Sequence, residues 1–113
     1  DAAFAPEPAV PDMLTRGGAM LGIRPKGFRS ASGDLVALER GLPEQIARYG
    51  ALKVPGGVLY GSDDALLSPE EQGAPMNAFG LEHERIAGRG HMLPLTAPEA
   101  CADFIRRMAS TAG

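Results

Sequence analysis

The chain has 113 residues, 44% of them hydrophobic and 22% charged, with fourteen acidic against eleven basic side chains and a formal charge of −3. That length suits one domain, and the composition excludes a disordered tail or a coiled coil as the main organisation. The acidic balance argues against nucleic acid as a partner, and no apolar run approaches the roughly 20 residues of a membrane span, so a soluble, cytoplasmic chain without a membrane partner is expected.

Residues 1–11 read as an extended arm, because Pro6, Pro8 and Pro11 each push the preceding residue out of the helical region. The chain opens on Asp1 rather than Met and shows no charged-then-apolar leader, which reads as an entry in mid-chain. Residues 12–22 predict a short helix capped by Asp12 and stopped by Gly22, weakened in its middle by Gly17 and Gly18 at about 1 kcal/mol each against alanine. Residues 25–41 predict one or two more short helices ending at Gly41. Pro43 then suits the first turn of another, with Glu44 near its positive end.

The pattern changes at Val54. Val54-Pro-Gly-Gly-Val-Leu-Tyr60 is short, apolar and bounded by Gly61, as a buried strand is. Ser68-Pro-Glu-Glu71 is a capping box with Pro69 at the first helical position, and Pro75 breaks or restarts that helix. Glu82–Ala87 predicts a second, more polar strand nearer a sheet edge, on which His83 is expected at the surface. Thr96-Ala-Pro-Glu99 is a second capping box, and the helix behind it carries Cys101, Phe104, Ile105 and Met108 on one apolar stripe. Asp103, Arg106 and Arg107 fall towards solvent, and Cys101 is expected as a buried, inert thiol.

Strand, helix, strand, helix in the second half predicts an α/β fold with a parallel sheet. Functional groups in such sheets gather at the carboxyl ends of the strands. The loop after the first strand holds Asp63 and Asp64, and the loop after the second holds His91 between Gly90 and Met92. A carboxylate and an imidazole on neighbouring strand ends can share a hydrogen bond, with the acid fixing the tautomer of a general base. The competing readings are a turn-forming aspartate and a loop histidine bonded to a carbonyl. Met13, Leu14, Met20, Leu21, Met92 and Leu93 fit either pocket wall or ordinary packing. One cysteine and two histidines make no disulfide and no cysteine-based metal site, and no cofactor is expected.

Tyr60-Gly-Ser-Asp-Asp-Ala-Leu-Leu-Ser-Pro69 resembles the acid loop of the α/β-hydrolase family, and Gly88-Arg-Gly-His91 with Met92-Leu-Pro-Leu and Ala97-Pro-Glu resembles its histidine loop. The acid-then-histidine order also agrees with that family. The resemblance spans about residues 50–110. It implies the C-terminal portion of an α/β-hydrolase-like parallel sheet with helices (residues 49–113), preceded by a helical cap-like segment (residues 1–48). It also implies Asp64 as the acid and His91 as the base. No G-x-S-x-G elbow or oxyanion-hole glycine segment occurs in these residues. The function this resemblance implies is that of a serine hydrolase cleaving an ester, lactone or similar bond in a modestly apolar small molecule. The nucleophile would come from an N-terminal core segment in cis or in trans. A parent with a carboxylate nucleophile, as in epoxide hydrolases and dehalogenases of this fold, stays open. So do a non-catalytic binding or structural remnant and a small self-standing binding domain.

Overall fold

The computed structural model describes residues 2–112 and divides them into two compact units. One joins the residues up to Val10 to those from Lys53 onward; the other is Pro11–Leu52. This differs from a division at residue 48, because residues 2–10 group with the strand-bearing part.

The strand-bearing unit is a mixed α/β arrangement around a two-stranded parallel sheet, β1 (Gly57–Gly61) and β2 (Glu82–Ile86). Gly57 lies opposite Glu82 and Gly61 opposite Ile86, so both strands end together. The first strand starts three residues later than the apolar run that predicts it, since Pro55 has no N–H to give a ladder. Between the strands Ser68 caps as expected. Its hydroxyl accepts the Glu71 N–H at 3.2 Å, with Pro69 in the first turn. The segment behind it is one π-helical turn, Pro69–Gly73, followed by a 3₁₀ stretch, Ala74–Phe79, restarted around Pro75.

Helix α3 (Leu93–Thr96) leads into α4 (Pro98–Ala112). The expected Thr96 cap is replaced by a different bond: the Thr96 hydroxyl donates back to the Met92 carbonyl at 3.3 Å, because Thr96 is the last residue of α3. Helix α4 packs on β1 through Phe104. Gly57 makes room for that ring, since a Cβ there would stand 2.6 Å from Phe104 Cζ. Phe104, Leu93 and Phe4 are the buried large apolar side chains among the described residues. Ile105, predicted on the buried stripe, is 65% exposed. Cys101 is only half-buried. On β2, Glu84 pairs with Arg107 of α4, and Arg85 pairs with Glu70; all four side chains stand well into solvent, where such pairs contribute little.

The second unit holds α1 (Ala19–Gly22) and α2 (Pro25–Ala47) with a 3₁₀ turn at Tyr49–Ala51. The helix predicted over 12–22 shrinks to four residues. Gly18 adopts φ 72°, a left-handed conformation that helices do not continue through, and the Asp12 carbonyl rather than its side chain gathers the turn amides. Helix α2 runs unbroken through Gly41 and Pro43, where two or three pieces are predicted. It has Pro25 in its first turn and no buried residue. Among the described residues no helix is long and apolar enough to cross a membrane.

Candidate active site

The site is built where β1 and β2 run out. Pairing continues past the strands: the Ser62 N–H donates to the Ile86 carbonyl and the Asp63 N–H to the Arg89 carbonyl, both at 2.9 Å. The acid loop and the histidine loop are therefore stitched side by side. Gly61 permits this contact, because a Cβ there would lie 2.2 Å from the Arg89 carbonyl oxygen and 2.3 Å from that of Gly90. Gly88 takes φ 68° to turn the chain out of β2, which favours glycine. The two glycines of the Gly88-Arg-Gly-His91 segment thus have separate tasks. Gly88 supplies the turn, and Gly90 lies buried in close backbone contact.

This framework brings the two predicted residues together. Asp64 Oδ2 and His91 Nδ1 are 2.8 Å apart. The other Asp64 oxygen accepts the Leu66 and Leu67 N–H groups at 2.8 and 2.9 Å. The Asp64 side chain is 2% exposed, whereas that of His91 is 33% exposed. Burial pushes the Asp64 carboxyl upward, but the Leu67 amide, the His91 ring and the Leu66 amide outweigh it and hold the group below its ordinary value. Asp64 is thus a carboxylate at neutral pH and can only accept. The shared proton then belongs to His91 Nδ1, and Nε2 is left as the nitrogen that can take up and return a proton.

Asp63 is exposed, and its carboxylate accepts from the Ser62 hydroxyl at 2.9 Å. It does not enter the Asp64–His91 pair. Ser62 is a contributor that the sequence reading leaves unassigned. Its oxygen also accepts the Gly88 N–H at 2.8 Å, a second stitch between the loops. Only its place one residue after Gly61 marks it beforehand. Leu93 is core rather than pocket wall, while Leu14, Met20 and Leu21 are exposed. His83 departs from its expected surface position. It is half-buried, its ring stands edge-on to Tyr60 at 6.0 Å, and its Nε2 is buried without a hydrogen-bond partner. Among the described residues no group of three or more His, Cys, Asp or Glu side chains has the arrangement of a metal site.

In chemical terms this is a buried, ionised carboxylate orienting a partly open imidazole at the carboxyl ends of adjacent parallel strands. No family profile, curated protein or solved structure matches the chain.

Proposed function

We propose that this chain is the C-terminal portion of an α/β-hydrolase-fold enzyme and supplies the acid and the base of its catalytic triad. One observation carries the reading: the 2.8 Å bond between Asp64 and His91 at the tips of neighbouring parallel strands, with the acid buried and the base partly open. In this reading His91 Nε2 removes the proton of a nucleophilic hydroxyl as it attacks an ester or lactone carbonyl. The resulting imidazolium is stabilised by Asp64 and returns the proton to the leaving oxygen. The nucleophile and the oxyanion donors come from outside these residues, and the substrate is modestly apolar. Further support comes from the large apolar side chains left open on both units, including Leu35, Val36 and Ile105, as surfaces awaiting a larger core would be.

The test uses this chain together with the preceding segment of its reading frame, on a p-nitrophenyl ester series. His91→Ala is expected to lower turnover by at least about a thousandfold, with the protein still folded. A serine-reactive phosphonate should label the assembly. A His91→Ala variant retaining a third or more of the activity overturns the reading. Absence of both turnover and labelling favours the non-catalytic remnant instead.

A further inference from the structure

The N-terminal arm meets the histidine loop at a single acidic residue. Glu7 Oε1 accepts from the Arg89 guanidinium at 2.8 Å, and Glu7 Oε2 accepts from the Gly90 N–H at 2.7 Å. One carboxylate thus grips the two residues immediately before His91. Arg89 is tied further, since the same nitrogen donates to the Thr96 carbonyl at 3.1 Å and so links the loop to the end of α3. The arm is anchored by the buried Phe4 and fits closely. A Cβ on Gly90 would stand 2.1 Å from the Ala5 carbonyl oxygen. On the opposite side, the Arg89 carbonyl receives the Asp63 N–H. The segment leading to His91 is therefore held between two walls, with β1 and its loop on one side and Glu7 on the other. Glu7 is 14% exposed, and both of its bonds are charge-assisted.

We propose that Glu7 is the positioning residue of His91: by clamping Arg89 and the Gly90 amide, it fixes the loop in the register that sets His91 Nδ1 against Asp64. This needs no contact between Glu7 and the imidazole, and sequence separation hides it, because Glu7 and Gly90 are 83 positions apart. Its consequence for turnover rests on the hydrolase reading, whereas its consequence for the imidazole does not.

The experiment therefore has a spectroscopic arm and a kinetic one. In the ¹⁵N-labelled chain, long-range proton–nitrogen correlation spectra at neutral pH read the His91 tautomer, and amide exchange reads the Gly90 N–H. The unaltered chain is expected to show one tautomer with the proton on Nδ1. Glu7→Ala should admit the second tautomer and speed Gly90 exchange at least about tenfold. The amide shifts around Phe104 in α4 should stay in place. Glu7→Gln keeps an acceptor for Gly90 but loses the charge, so it should fall between the two. Should Glu7→Ala not fold, Glu7→Gln decides alone. An unchanged tautomer and unchanged Gly90 exchange in a folded Glu7 variant overturn the proposal. In the protein that contains the nucleophile, Glu7→Gln should lower kcat about tenfold at constant KM, since it disturbs orientation rather than binding. A raised KM at constant kcat overturns the positioning role. If instead His91→Ala leaves turnover intact while Glu7 variants still disturb the tautomer, the hydrolase reading falls and the clamp stands.

Discussion

Asp64 is nearly closed to solvent yet ionised, because three donors converge on it: the Leu67 and Leu66 amides and the His91 ring. Glu7 is held below its ordinary range as well, first by the Arg89 guanidinium and then by the Gly90 amide. Both shifts fix the sign of a pH dependence. In the unfolded chain these groups titrate near 4, at about 3.9 for Asp and 4.3 for Glu, and in the folded chain they titrate lower. Above pH ~5 both states are ionised and the full stabilisation is present. As the pH falls through ~4 the unfolded state takes up protons first, and the stabilisation is lost progressively down to the folded values. The urea midpoint should decline below about pH 4. Asp64→Asn and Glu7→Gln should each flatten that decline. A midpoint that rises as the pH falls below about 4, or a decline there untouched by both changes, contradicts the assignment of these two carboxyls.

The elements owe their arrangement to a few positions where no side chain fits. At Gly61 an added methyl would collide with two carbonyl oxygens of the histidine loop, and neither is the movable end of a side chain. Gly61→Ala should therefore cost about 1–3 kcal/mol and part the two loops. At Gly33, within α2, nothing lies within reach of a Cβ, so Gly33→Ala should stabilise that helix by about 0.5–1 kcal/mol. Urea unfolding of the two variants reads the contrast, and equal effects at both sites would remove the close approach as the reason for Gly61. The same positions explain what the sequence discloses. The Gly61 and Gly88-Arg-Gly spacing, with acid and imidazole set just beyond, made the Asp64–His91 pair readable, because strand ends in a parallel sheet are neighbours by topology. Glu7 was not readable, since its partners are remote in the chain and the arm's prolines signal only an extended backbone. Helix α2 departs from its predicted division for a different reason. Gly41 and Pro43 are local stop signals, but Pro43 forfeits only one hydrogen bond, the good helix formers Leu35, Ala37, Leu38, Glu39 and Arg40 precede it, and the helix carries through. Gly17 and Gly18 succeed where these fail, because Gly18 turns left-handed.

Across the whole molecule, apolar surface is poorly matched to what covers it. A two-stranded sheet is marginal by itself, and the buried large apolar side chains among the described residues are Phe4, Leu93 and Phe104. Helix α4 states the problem within a single element. Phe104 fills the space left by Gly57, while its neighbour Ile105, on the same predicted stripe, faces solvent. On the proposed hydrolase reading further chain covers Ile105, and the two positions should respond differently to their context. In the 113-residue chain Phe104→Ala should cost about 3–5 kcal/mol and Ile105→Ser no more than about 0.5 kcal/mol, by denaturant unfolding. In a longer protein carrying the proposed N-terminal hydrolase segment, Phe104→Ala should cost about the same. Ile105→Ser should there rise to about 1.5–3 kcal/mol, the value of burying an isoleucine side chain. The change in the Ile105 cost between the two settings reads directly whether further chain covers α4. An Ile105→Ser cost that stays below about 0.5 kcal/mol in both would mean that α4 gains no cover at that position, and the exposed stripe would no longer support a larger hydrolase core.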